Sequence, residues 1–485
     1  MPIEAPDLVL TPILPELILA GVAMLILLVD AARPSRGRSM AVVAFVGIMA
    51  AAAVVVRQWL VPAADELTVL GGMVAVDRYA LFFRLVILGC AALGVLLGAH
   101  YLERTGEGRG EYYALLLFAT SGMTLLAAAA DLIVVFLALE VLSLSLYVLA
   151  GFSWRRLASQ EASLKYFLLG AFSSAFFLYG IALAYGATGT TSLGGIAEAL
   201  TGPGVSTALA LAAGAFLLVG FSFKVAAVPF HMWTPDVYQG APSPVTGFMA
   251  AGTKVAGFAA LLRVTTVALG PVSWELLPAL VAVSAVTMVV GSVLAIAQDD
   301  VKRMLAYSSI AHAGFVLVGV AAGNQEGVAG SMFYLVAYAA MILGAFAVVI
   351  VVSRTGEGHT SLRSYRGLAR RSPLLGALLA LFLLSLAGIP PTAGFIAKVL
   401  VFEAAIRAGL EGLVVVAVLA SVVAAFFYIR LIVLAYMEDE ETAERVPAEA
   451  APGIALAVTA AVTLVLGVLP GLLLDPLQSA GVLRW

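Results

Sequence analysis

Long apolar stretches separated by short polar ones run the length of the chain. A membrane-spanning helix needs about 20 mainly apolar residues. About fourteen stretches qualify: 12–32, 39–59, 77–102, 111–130, 131–152, 160–187, 206–230, 241–268, 273–297, 300–321, 328–353, 373–404, 408–436 and 453–474. The pattern predicts an all-α membrane protein. Only "AAAAD" separates the fourth stretch from the fifth, so a very tight turn is expected there. No glycine-rich phosphate loop follows a strand, and nothing visible binds a nucleotide. The two "GEG" stretches, 106–108 and 356–358, read as turns in charged loops.

Composition strengthens the membrane reading. Of 485 residues, 62% are hydrophobic and 11% charged, where a soluble domain carries about 25% charged residues. A net charge of −3 gives no reason to expect nucleic acid as a partner. The lone Cys90 excludes a disulfide within the chain, and cysteine-ligated zinc or iron–sulfur centres held by this chain alone. "MPIEAPDLVL" is acidic where a signal peptide is basic, so the first stretch is expected to be a retained span.

Basic residues in short loops orient the spans. With both termini on the periplasmic side of a bacterial inner membrane, inside loops carry Arg33, Arg36, Arg38, Arg104, Arg109, Arg155, Arg156, Lys302, Arg303, Arg354, Arg363, Arg366, Arg370, Arg371 and Arg445. Outside connections carry only Arg57, Arg263, Arg407 and Arg484. The last inside loop, "MEDEETAER", is acidic and suits a basic partner.

The lysines break the loop pattern. There are 21 arginines and five lysines, and Lys165, Lys224, Lys254 and Lys398 fall inside predicted spans, leaving only Lys302 in a loop. A coding bias toward arginine explains the loops but not lysine at membrane depth. Arginine stays protonated in proteins. Burial can lower a lysine pKa by up to about 3–5, and a nearby carboxylate raises it again. A buried lysine whose partner comes and goes can load and release a proton. Glu140, in "FLALEVLSLSLY", is the one carboxylate near the middle of a span, and an ion pair with Lys165 on the next helix is expected. His231 follows Lys224 by seven residues, two turns along one helix face. His312 lies near mid-span, and histidine suits a proton relay. Tyr307, Ser308 and Ser309 offer hydroxyls beside it.

Two spans hold helix breakers beside their lysine: Pro229 after Lys224, and Gly388, Pro390 and Pro391 before Lys398. Proline removes a backbone bond, and irregular backbone at membrane depth needs protein or trapped water around it. These are the seventh and twelfth spans, five apart, so they run in opposite directions. That layout predicts an inverted repeat of two five-helix units with paired broken helices, as in transporters. The expected units are 1–110 (three helices), 111–268 and 269–440 (the repeats), and 441–485 (one helix).

The stretches "FKVAAVPFHMWTPDVYQGAPSPVTGFMA", "DDVKRMLAYSSIAHAGF" and "LAGIPPTAGFIAKV" resemble the antiporter-like, proton-translocating membrane subunits of respiratory complex I (NADH-quinone oxidoreductase), the N-type above all. The resemblance implies fourteen transmembrane helices. It also implies roles: Glu140 and Lys165 as a charge pair facing a neighbouring subunit, Lys224 as central lysine with His231 beyond it, Lys254 as connecting lysine, and Tyr307 and His312 leading to Lys398. Lys398 fits the N-type, since the M-type is expected to carry glutamate there and the L-type a long lateral helix. No cofactor is expected in this chain; NAD, FMN, iron–sulfur clusters and quinone would sit in partner subunits. Implied partners are an antiporter-like neighbour, small K-, J- and A-type subunits and the lipid bilayer. The alternatives are a subunit of a cation/proton antiporter, a related dehydrogenase with a different electron donor, and a purely structural scaffold.

Overall fold

The computed structural model describes residues 10–32, 37–61, 68–353, 357–438 and 450–481. Arg33, Arg36, Arg354, Arg445 and Arg484, the amino terminus, and most of the acidic "MEDEETAER" loop lie outside them.

Among the described residues, thirteen helices are long and apolar enough to cross a membrane. A further crossing is split into two fifteen-residue halves, Pro373–Ala387 and Ala393–Arg407. The expected all-α membrane fold is what forms. A two-residue hairpin, Thr68–Val69 with Val74–Ala75, is the one sheet described. The tight turn after the fourth span is real: one helix ends at Ala128 and the next begins at Leu132.

Burial shows where the centre lies. The helix Ser243–Ala268 is wholly buried in its most apolar window, and Val301–Ala322 and Gln325–Val352 are 94% buried. Leu157–Thr188 is only 33% buried and shows Leu168, Phe172 and Tyr179 outward. Such a face belongs against lipid or another membrane chain. The three buried helices therefore form an internal axis, and they carry Lys254, Ser309, His312, Tyr334 and Tyr338.

Two matching clasps close loops in the two halves of the chain. Asp131 starts the helix Leu132–Ala150, accepts from the Ile133 amide, and takes a 2.7 Å bond from the Thr191 hydroxyl. Asp300 starts the helix Val301–Ala322, accepts from the Arg303 amide, and takes a bond from the Thr360 hydroxyl. Both side-chain pairs are 60 residues apart. Backbone bridges join Asp131 to Ser192 and Asp300 to Ser361 beside them. Counting from each aspartate, Glu140 and Ser309 hold the same position, and so do Ser143 and His312.

The Asp77 end of the third span is fixed by buried charge. Arg263 makes a two-pronged contact with Asp77 at 2.7 and 2.9 Å. Asp77 also caps its own helix through the Ala80 amide. Burial alone would raise the Asp77 pKa, but the Arg263 charge and bonds hold it below the usual carboxylate range. Arg263, expected among the outside connections, has a side chain that is 1% exposed. Arg84, in the same neighbourhood, meets Glu16 at 3.0 Å.

Candidate functional site

Lys224 ends the helix Thr207–Val225, and the chain unwinds directly after it. Ala226 takes a left-handed conformation at φ 64°, unusual for a residue with a Cβ and costing on the order of 1–3 kcal/mol. The freed Val228 amide is satisfied by the Thr287 hydroxyl at 2.9 Å, from another helix. Helix resumes at Trp233. The Lys224 amine is buried and donates to the Ser143 hydroxyl at 2.8 Å. Ser143 is three residues beyond Glu140, and both line a small cavity of about 20 Å³ with Ser173, Ser174 and Lys224. That is room for a water molecule.

The Glu140 carboxylate accepts from Ser174 on the next helix, not from Lys165. Lys165 lies nine residues before Ser174, about 13 Å along the axis at 1.5 Å per residue, so it cannot reach. It binds Glu161 and Asp236, both at 2.7 Å, with its side chain 42% exposed. The expected Glu140–Lys165 pair does not form. Asp236 is shared with Arg303 at 2.6 Å. His231 does not share a helix face with Lys224 either, because the unwound segment lies between them. It is half-buried beside Met232.

Lys254 follows a single π-helical turn, Met249–Thr253, in the buried helix. Such turns shift side chains around the axis and recur at functional sites. Its amine donates to the Ser309 carbonyl. The Ser309 hydroxyl accepts from Tyr338 at 2.8 Å and stands 3.4 Å from the Tyr238 hydroxyl. One residue away, Ser308 bonds the Tyr428 hydroxyl. Tyr428 lies 3.2 Å from His312 Nε2, and Tyr334 lies 2.7 Å from His312 Nδ1. Tyr307 takes no part: it is half-buried and makes no side-chain hydrogen bond among those described. The hydroxyls that surround His312 come instead from Tyr334, on the next helix, and from Tyr428, 116 residues away in sequence.

Lys398 closes the line. The helix before it ends at Gly388, φ 87°, a conformation that suits glycine. The Lys398 amine donates to the Ala387 carbonyl at 2.8 Å, at the end of that half-helix, where the dipole favours a cation. It also sits 4.6 Å from the Phe315 ring, which packs 5.8 Å from the His312 ring. Any side chain at Gly388 would meet Lys398 at 2.9 Å.

The five lysines thus fall into two classes. Lys165 and Lys302 have carboxylate partners. Lys224, Lys254 and Lys398 are 3–6% exposed, and each donates to a neutral oxygen. Among the described residues, none of these three has a carboxylate in salt-bridge range. A buried charge without a counter-charge is costly, so these three amines differ in kind from the paired Lys165 and Lys302. Lys302, expected in a loop, is wholly buried in the first turn of its helix and binds Glu357 at 2.7 Å.

The family profile described as NADH:quinone oxidoreductase/Mrp antiporter, TM, matches residues 129–424, more than half of the chain. The chain belongs to this family. A protein of Trichlorobacter lovleyi called NADH-quinone oxidoreductase subunit N is 44% identical over 97% of this chain and 96% of its own length. A chain of respiratory complex I from Thermus thermophilus, solved with aureothin, is 40% identical, with a TM-score of 0.81 over 95% of this chain and 98% of that one. A chain of the Mrp complex from Dietzia sp. shares the fold, with a TM-score of 0.84 over 97% of each chain at 22% identity.

Proposed function

We propose that this chain is the N-type proton-translocating membrane subunit of an NADH:quinone oxidoreductase in the bacterial inner membrane. The observation that carries the reading is the set of three buried lysines facing neutral oxygens, spaced along an internal polar axis. Redox chemistry, with NAD, FMN, iron–sulfur clusters and quinone, belongs to partner subunits on this reading. This chain supplies groups that take up, hold and release protons.

Glu140 is the coupling carboxylate. It shares the small cavity with Lys224 and sits on a helix whose outer face shows Leu137, Val141, Leu144 and Val148. That apolar face suits an antiporter-like neighbour or the small K-, J- and A-type subunits. When charge in the neighbour draws Glu140 away, the Lys224 amine loses support and releases its proton more readily. Lys254 and Lys398 respond in turn through Ser309, Tyr338, Tyr428 and His312. The change needed is modest, since a tenfold shift in proton affinity is about 1.4 kcal/mol and one charge moved a few ångströms at low dielectric supplies that.

The matched positions of Ser143 and His312 after their clasping aspartates support an inverted repeat at 111–268 and 269–440. Ser143 serves Lys224, and His312 stands near Lys398. Both termini are assigned to the periplasmic side from the loop arginines.

The test is proton uptake by inside-out membrane vesicles during NADH-driven quinone reduction. Lys224→Ala and Glu140→Ala are expected to assemble and to lose pumping. Wild-type pumping in both overturns the reading. Sodium-dependent exchange in vesicles without NADH would instead assign the chain to a cation/proton antiporter.

A further inference from the structure

Glu357 lies in a stretch that reads as a turn, yet its side chain is 4% exposed. Its carboxylate joins two other parts of the chain. It accepts from the Ser243 amide at 2.7 Å and the Ser243 hydroxyl at 2.8 Å, at the start of the Lys254 helix. It accepts from Lys302 at 2.7 Å, at the start of the Ser309 helix. Lys302 adds a 2.6 Å bond to the Ala241 carbonyl, just before the Lys254 helix begins. Burial would raise the Glu357 pKa, but the Lys302 charge and the bonds from Lys302 and Ser243 hold it below the usual range. The carboxylate therefore stays ionised and keeps every one of these partners.

The two helices it joins run the same way, both starting at this end. Further along they meet again, where the Lys254 amine reaches the Ser309 carbonyl. Two parallel helices tied at their starts have a fixed axial register. Untied, they can slide, and one helical residue is a shift of 1.5 Å. A shift of that size breaks a hydrogen bond. The π-helical turn at Met249–Thr253 lies between the tie and Lys254, and it gives the buried helix a place to change register.

We propose that Glu357 is a positioning residue, which fixes the register of the Lys254 helix against the Ser309 helix and so holds the Lys254 amine on the Ser309 carbonyl. The inference rests on the proton-transfer role given to Lys254 above. It assigns Glu357 no proton of its own to carry.

The experiment compares Glu357→Ala, Glu357→Gln and Lys254→Ala in the whole complex, in inside-out vesicles. It reads protons taken up per quinone reduced, normalised to assembled complex. Glu357→Ala is expected to pump about three- to tenfold less, the factor that goes with one lost hydrogen bond. Glu357→Gln keeps one acceptor oxygen, for the Ser243 hydroxyl and Lys302, and loses the bond from the Ser243 amide; it is expected to restore part of the ratio. Wild-type pumping in Glu357→Ala overturns the inference. So does a Glu357→Gln as impaired as Glu357→Ala, since the negative charge would then matter rather than the tether. If the alanine variant does not assemble, Glu357→Gln alone decides: pumping clearly above that of Lys254→Ala supports the tether, and a loss as deep as that of Lys254→Ala refutes it. Wild-type pumping in Lys254→Ala would mark failure of the underlying reading, separately from failure of the Glu357 role.

Discussion

The Lys224 amine donates to the Ser143 hydroxyl at 2.8 Å, while Glu140, on the same helix as Ser143, is bonded to Ser174 instead. Amine and carboxylate share a cavity without pairing. A locked ion pair would resist change, because breaking one in a buried site costs about 3–5 kcal/mol. Each is instead held by a serine of its own, Ser143 for the amine and Ser174 for the carboxylate, which leaves both free to respond. Ser143→Ala is expected to assemble and to slow pumping several-fold by leaving Lys224 without its acceptor. Initial rates of proton uptake in vesicles check this, and an unchanged rate rules out a role for the Ser143 hydroxyl.

Lys165 is expected to matter less than its position in the sequence suggests. Its contacts with Glu161 and Asp236 are half-exposed, and exposed pairs contribute about 0–1 kcal/mol. Lys165→Gln is therefore expected to keep most pumping and to change thermal stability little. A loss as deep as that of Lys224→Ala would return Lys165 to the centre of the mechanism.

Tyr428 bridges Ser308 and His312. Tyr428→Phe keeps the ring and removes the hydroxyl. The variant is expected to fold normally and to pump several-fold more slowly. Equal pumping would show that protons pass His312 by another route, such as Tyr334.

The Asp77–Arg263 pair is a matter of stability rather than transport. Asp77→Asn leaves Arg263 buried without a counter-charge, at a cost of about 3–5 kcal/mol. Thermal unfolding of the purified complex reads this. The pH dependence follows from the lowered Asp77 pKa. A carboxylate with a depressed folded-state value contributes fully above about pH 4 and loses that contribution as pH falls through the lowered value. The Asp77→Asn penalty is thus expected to be constant from neutral pH down to about pH 5. A penalty that vanishes near neutrality would contradict the assignment.

The spans, the helix ends beside Lys224 and Lys398, and the burial of Lys224, Lys254 and Lys398 were legible because apolar length, proline and residue type are local signals; Lys165, expected with them, is 42% exposed. Partners were not, because they depend on which helices meet. The spacing of His231 from Lys224 implied a shared face only if the helix continued, and Ala226 ends it. Glu140 and Lys165 sit on consecutive helices but reach different depths. Lys302 looked like a loop residue because it lies at a span end, and its partner Glu357 hides in an apparent turn. Tyr334, Tyr338 and Tyr428 carried no signal, since a tyrosine in an apolar span usually packs as core. The duplicated Asp–Thr clasps at equal spacing were readable in principle, as D-x59-T recurring before two spans.

The central claim is that the axis needs amines able to release a proton, not fixed positive charge. Lys224→Arg keeps the charge and the donors but removes that ability. The direct measurement is proton uptake by inside-out vesicles carrying this variant during NADH-driven quinone reduction. The account predicts an assembled complex whose pumping is as deeply impaired as in Lys224→Ala; pumping at the wild-type rate with arginine in place would contradict it.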